Sequence, residues 1–441
     1  MNPKKMDIED LYITTFNKFE TELNGDAAHP LHEVRKNAIS RVEELSFPTI
    51  RNEDWKYTNI SPILKQIYQF PVDPPKVRNS EILSLMIPAL KNNTLVFLNG
   101  HYVEEFSSLN LDIKNIIISP LKKLLNNGST LINDHLTKYA DYKNEIFTAL
   151  NTAFLQDGVF IYIPEALILE NPIHILNISD PQGTPFQTFP RNLIIAGKGS
   201  QVTLVERQHH LTPGPYLRNS VSEVVVEEGA MAKLINIQDE SREAFVINRT
   251  QVNLNHDSNF THVSLDLGGR IVRNNLGTTL NGEHCEANLF GFYLASQKQH
   301  IDNHTNIDHL QPNSESNELY KGILTDQGRA IFSGTIYVAR DAQKTNAIQS
   351  NRSLLLSDES EVDSKPQLKI FADDVKCTHG ATIGQINEEA IFYLRQRGIN
   401  EADAKTLLRS AFAGEIIDKI DIDGLREYIS SNINNRLSTE F

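Results

Sequence analysis

Leu31, Val34, Ala38, Val42 and Leu45 recur at three- and four-residue steps, which lays one apolar stripe along a helix. Pro30 suits the first turn of that helix and Pro48 marks its stop. The first 70 residues as a whole read as helical. Arg51-Asn-Glu-Asp-Trp-Lys-Tyr-Thr58 reads as a surface turn that Trp55 anchors to a core. Pro71-Val-Asp-Pro-Pro75 is a stiff connector, and Thr94 to Val103 predicts two short strands about an Asn99-Gly100 turn. From about Asp157 to Ile386 the period changes. Short β-rich runs follow one another, among them Gly158–Ile163, Ile173–Ile178, Gln201–Val205, Ala232–Ile237 and Ala330–Val338, with no helical stripe between them. That argues against a βαβ sheet and leaves a sandwich, a barrel or a solenoid. No strict repeat chooses among these.

After Ile386 the helical pattern returns. Asn387 is placed to cap a helix running to Arg397, with Gly398 just beyond it, and Asn400 to cap a second. Ala404, Leu407, Leu408, Ala411 and Phe412 share one face of the second helix, and Leu425, Tyr428, Ile429 and Ile433 make a further apolar face. Three regions follow: 1–150, helical with some β-structure; 151–386, β; and 387–441, helical.

A chain of 441 residues exceeds one ordinary core, and 40% hydrophobic with 22% charged residues suits a soluble globular protein. No apolar run is long enough for a membrane span, and Met1 to Asp10 turns acidic where a signal peptide needs its apolar stretch, so the expected location is cytoplasmic. Two cysteines argue against a disulfide framework and suit a reducing compartment. A net charge of −14 makes nucleic acid a poor partner.

The chain contains no Gly-x-x-x-x-Gly-Lys-Ser/Thr loop, no His-Glu-x-x-His and no Gly-x-Ser-x-Gly turn, hence no recognisable means of hydrolysing ATP. His300 and His304 would share a helical face and could hold zinc, but their segment lacks a helical stripe. These two, with His284 and His309, read as hydrogen-bonding residues, and Cys285 as a small buried one. Cys377 and His379 stand at i and i+2. On an extended strand their side chains share a face, about 6–7 Å apart at Cα. Two ligands do not fill a metal site, and from the residues alone a packed thiol beside a hydrogen-bonded imidazole accounts for the pair more simply. Asp373 and Asp374, adjacent on a strand, face opposite ways and suit no shared acid–base role.

The stretch Lys365 to Gln385, with Glu389 to Ile399 and Ala411-Phe-Ala413, resembles the SufB/SufD family of iron–sulfur cluster assembly. Arg51 to Tyr57, His300 to His309 and Asn351 to Ser357 support it, so the resemblance spans nearly the whole chain. It implies a mainly β fold, with a right-handed parallel β-helix core flanked by N-terminal and C-terminal helical regions. It also implies a non-catalytic scaffold, joined to the paralogue SufB through the end of the β-helix. The ATPase SufC would dock on region 387–441 and supply the hydrolysis this chain lacks. SufB-type chains read Glu-His-Glu-Ala-Thr where this one reads Thr378-His-Gly-Ala-Thr382, and their sulfur-accepting cysteine has no counterpart in Leu356–Lys365, which places the chain on the SufD side. The resemblance makes His379, and secondarily Cys377, ligands for transient iron or a nascent cluster in a site completed by SufB. No stably bound cofactor is expected, and homodimers are an option where SufB is absent. Removal of the tail after Gln385 is expected to abolish SufC binding and leave the β-core folded.

Two other readings compete. A β-helix carbohydrate-active lyase or hydrolase would need paired acids in a cleft, with Asp302 and Asp308 as the candidates. A homodimeric storage or interaction protein would need no chemistry.

Overall fold

The computed structural model describes residues 8–22, 31–71, 73–110, 113–125 and 130–441. Pro30, Val72 and most of the acidic N-terminus lie outside these, and so do the expectations that rest on them. The predicted N-terminal helix is present as Leu31–Glu44, preceded by another at Ile8–Glu22.

From Gln201 to Gly384 the chain forms thirteen consecutive strands of 8 to 11 residues. Each pairs in parallel with the next strand but one, which divides them between two sheets that, with the earlier strands, hold 11 and 10 strands among the described residues. The chain winds from one sheet to the other as a parallel solenoid of about eight turns. Alternation builds its walls. In Arg329–Val338, Ala330, Phe332, Ile336 and Val338 point inward and are fully buried, while Ser333, Thr335 and Tyr337 face outward. Equivalent positions recur at 26 to 32 residues. Val221, Arg249, Asn275, His304, Ser333 and Lys365 stack in the 10-stranded sheet. Leu204, Leu234, His262, Leu289, Glu318, Gln349 and His379 stack in the other.

One corner of the coil is set by a single backbone conformation. Gly199, Gly229, Asp257, His284, Asn313 and Lys344 all have φ between 55° and 68°. The left-handed region turns the strand sharply, and Gly, Asn and Asp reach it at least cost. Successive corners are tied by backbone hydrogen bonds, Gly199 N to Glu228 O and Gly229 N to His256 O at 2.9 Å each.

The N-terminal end of the solenoid is covered. Strand Asn93–Leu98 extends the 11-stranded sheet beside Ile173–Ser179, and turns back at Asn99-Gly100 into the predicted hairpin with His101–Tyr102. Ile117–Pro120 closes the other sheet antiparallel to Val159–Ile163. Beneath them Arg191 and Glu223 form a buried ion pair at 2.7 Å. The Glu223 carboxylate also accepts backbone N–H groups from Thr137, Tyr139 and Ala140, so neither charge is left uncompensated. Trp55 anchors its turn as expected, 9% exposed and 5.5 Å from Phe147, with the Arg273 guanidinium 4.2 Å above its ring. The opposite end is open. Glu361–Ile370 and Lys376–Gly384 each pair with one strand only.

The tail forms helices Glu388–Gln396, Glu401–Ile417 and Asp423–Thr439, and the two capping asparagines do as expected: Asn387 accepts from Glu389 N and Ala390 N, and Asn400 from Asp403 N. Ala413, Ile416, Leu425, Ile429, Ile433 and Leu437 are buried against Val205, Ile235, Val263, Phe290 and Phe292 on the outer face of the 11-stranded sheet. Arg436 to Asp239 at 2.5 Å and Lys321 to Glu415 at 2.7 Å fasten the edges. No described helix is long and apolar enough to cross a membrane.

This docking revises the expectation for a shortened chain. Each fully buried Leu or Ile contributes about 1.5–3 kcal/mol, so losing Leu425, Ile429, Ile433 and Leu437 alone approaches a typical net stability of about 5–15 kcal/mol. A chain ending at Gln385 should bind a hydrophobic dye and aggregate more than the intact chain. A monodisperse, dye-silent product in size-exclusion chromatography would show that the sheet face does not need its helices.

Candidate functional site

Cys377 and His379 lie in Lys376–Gly384, the terminal strand of the 11-stranded sheet, opposite Ala347 and Gln349. Alternation points both toward the solenoid axis, the side to which Ala347 and Gln349 point from full burial one rung below. No coil covers them. His379 is exposed, and Cys377 is partly buried against a cluster of Ile336, Val338, Ala342 and Ala347. That burial raises the Cys377 thiol above its ordinary value, which disfavours the thiolate a metal would need. Among the described residues no three His, Cys, Asp or Glu side chains converge on a metal position. The pair thus places two possible donors on a terminal strand whose outer edge is unpaired. Ile370, Phe371 and Ile383 near the same end are 37%, 60% and 45% exposed.

Below His379 the inward column continues through Gln349, Glu318, Leu289 and His262. Gln349 Nε2 donates to Glu318 Oε2 at 2.6 Å. Burial pushes the Glu318 carboxyl up to about 7, against the hydrogen bond from Gln349 that favours its charge. Burial likewise lowers His262 to about 4. In the neighbouring column Asp266 accepts from Asn274 at 3.0 Å and is pushed up by burial to about 6. Asn248 donates to Asn274 and Asn274 to Asn303, each at 2.9 Å, one amide per coil. Sequence reading missed these residues. Each is a single polar letter within a strand, and only the register stacks them.

The histidines of the other cluster sit on a strand, His300–His309, and not on a helix. His300 Nε2 donates to Thr58 Oγ1 at 2.9 Å, and the Thr58 hydroxyl in turn donates to Asp302. Burial lowers His300 to about 4. Arg273 donates to Asp302 at 2.6 Å and to Asp54 O at 2.7 Å, while His304 Nε2 lies 3.0 Å from Asp302 Oδ1. Burial opposes the charge on Asp302, but Arg273 and His304 outweigh it and hold the carboxyl well below its usual range. His309 is bonded to Ser316 at 2.9 Å. The network pins the Trp55 turn over a cleft of about 500 Å³ on the outer face of the 10-stranded sheet. Cys285 is buried, 3.0 Å from Asn255 O. Asp302 and Asp308 stand six residues apart on this one strand, roughly 20 Å, too far for paired acids spanning at most about 10 Å.

Comparison with known proteins covers nearly the whole chain. A family model described as the SufBD core domain of SUF system FeS cluster assembly matches residues 177–412, and one described as the SufBD protein N-terminal region matches 6–175. An iron–sulfur cluster assembly SufBD family protein of Synechocystis is 32% identical, across 93% of this chain and 92% of its own. The iron–sulfur cluster assembly protein SufD of Escherichia coli is 29% identical across 90% and 91%, and the chloroplastic protein ABCI7 of Arabidopsis thaliana 29% across 92% and 86%.

The buried Glu318 carries a sign for stability. Its folded value of about 7 lies above the ordinary 4.5, so the stability it contributes is whole below about pH 4.5 and lost as pH rises through 7. The loss is on the order of 3 kcal/mol. Glu318→Gln keeps the shape and removes the ionisation. Between pH 5 and pH 8, denaturant unfolding should show the wild type losing about that much more than the variant. Parallel pH profiles would mean that Glu318 ionises as an ordinary carboxyl.

Proposed function

The chain belongs to the SufBD family of iron–sulfur cluster assembly proteins, and on that basis we propose that it is a scaffold subunit completed at the open end of its solenoid by the paralogue SufB. The observation that carries this reading is the last coil. Two strand edges are unpaired there, Ile370, Phe371 and Ile383 are exposed, and His379 and Cys377 project from the outermost strand. An exposed edge is a template for another strand, and a partner pairing with it would bring its own ligands against this half-site. His379 is the principal ligand to transient iron or a nascent cluster. Cys377, packed and with its thiol pKa raised, is the lesser one. In the SufB-free state the same edge offers itself to a second copy of this chain.

The SufC ATPase docks on the C-terminal helices. Most of their apolar surface is committed to the sheet, but Phe392, Tyr393 and Leu407 are 63%, 58% and 50% exposed and make up the surface left for a partner. The chain itself contributes no hydrolysis, and the complex is cytoplasmic.

His379→Ala should lower the iron and sulfide content of the co-purified complex at least severalfold, with a smaller loss for Cys377→Ala. Full cluster content in the double variant, by iron and acid-labile sulfide assay, removes the ligand assignment. Replacing Phe392 and Tyr393 by serine should reduce co-purified SufC severalfold while the unfolding midpoint shifts little, since both side chains already lie in solvent. Undiminished SufC recovery would place its docking elsewhere.

A further inference from the structure

We propose that Gln349 is a positioning residue for His379: its side-chain carbonyl, aligned by Glu318, accepts the proton-bearing nitrogen of the imidazole and turns the other nitrogen to the open end. This inference rests on the reading of His379 as an iron ligand.

Glu318, Gln349 and His379 occupy three successive rungs of one inward column, about 4.8 Å apart. The Gln349 amide is oriented from below. Its Nε2 donates to Glu318 at 2.6 Å, which leaves Oε1 as the free end of the group. That oxygen is buried and has no hydrogen-bond donor, a state that costs stability if it is never satisfied. The amide cannot easily turn away. It lies over Gly334 of the facing strand, where a β-carbon would sit 2.3 Å from Nε2.

The Ser364 hydroxyl of the facing sheet, also buried and unpartnered, is one candidate donor, and the rung above holds others. On the inward face of that strand stand Cys377, His379, Ala381 and Ile383. Alanine and isoleucine have nothing to donate, and Cys377 offers a weak S–H that is packed among apolar groups. His379 is directly opposite Gln349, and its ring makes no hydrogen bond among the described residues, so it is free to swing onto the oxygen. A neutral imidazole that donates from one nitrogen presents a lone pair at the other, and metal-binding histidines are commonly fixed by such an acceptor.

The test uses the full chain co-expressed with its partners, with Gln349→Met to remove the amide at similar volume. Ferrous iron binding should weaken about 10- to 100-fold, the usual effect of losing such an acceptor. A second measurement does not depend on the variant folding. In the intact ¹⁵N-histidine-labelled wild-type chain, assigned with His379→Asn, the His379 ring should show one dominant tautomer. A ring with the tautomer mixture of free histidine overturns the proposal, as does unchanged iron affinity in a folded Gln349→Met variant. Should His379→Ala itself leave iron binding intact, the ligand reading fails instead, and the tautomer alone then decides whether Gln349 holds the ring.

Discussion

The backbone hydrogen bonds between successive coils hold this molecule together, and they also force it to end somewhere. In a parallel solenoid each strand is satisfied by the coil before it and the coil after it, so a terminal coil always leaves donors and acceptors unmet. At the N-terminal end a hairpin and an antiparallel strand extend the two sheets and meet that need for the coils below them. At the other end the chain leaves the sheets after Gly384, and its helices double back over the outer face without covering the edge. The helices stabilise the side wall, and the axial end is left for something else.

A stacked interior makes the same demand of side chains. Inward positions repeat once per coil, so a polar residue on one rung must be satisfied by its neighbours along the axis or across to the facing sheet. Asn248, Asn274 and Asn303 manage this by handing an amide hydrogen from coil to coil. Such a ladder is self-sufficient only while it continues. In the other sheet Gln349 donates to Glu318 beneath the open end, and the Gln349 oxygen is left without a donor there.

Helical punctuation was legible in the sequence because it is local. The asparagine caps at 387 and 400, the Asn99-Gly100 turn and the Trp55 anchor all depend on residues a few positions apart. The solenoid was not legible from pattern. Its repeat exists, but it varies between 26 and 32 residues and is carried by backbone conformation more than by residue type: the stacked corner is glycine at 199 and 229 and aspartate, histidine, asparagine and lysine thereafter. The family resemblance supplied the architecture that period could not. It also directed attention to Cys377 and His379, whose shared face an extended strand now accounts for, and passed over Glu318 and Gln349, which acquire meaning only through the register.

A half-site at an edge has a chemical consequence beyond incompleteness. An imidazole exposed to water on a terminal strand holds a metal weakly, because one ligand offers little and the ring loses orientational entropy on binding. Pairing a partner strand against Lys376–Gly384 would change three things together: the edge amides find acceptors, water leaves the end of the solenoid, and further ligands arrive. If His379 is the ligand proposed above, each would raise its affinity for iron, and none is available to the chain alone. On the proposed reading, binding of the partner and binding of the metal are thus linked, and by reciprocity a bound metal tightens the pairing as much as pairing tightens the metal. Cys377 fits this order of events poorly, since covering the end would bury its thiol further and oppose the thiolate more strongly. The imidazole needs no deprotonation beyond its neutral form, and that difference favours His379 as the ligand this chain brings to the seam.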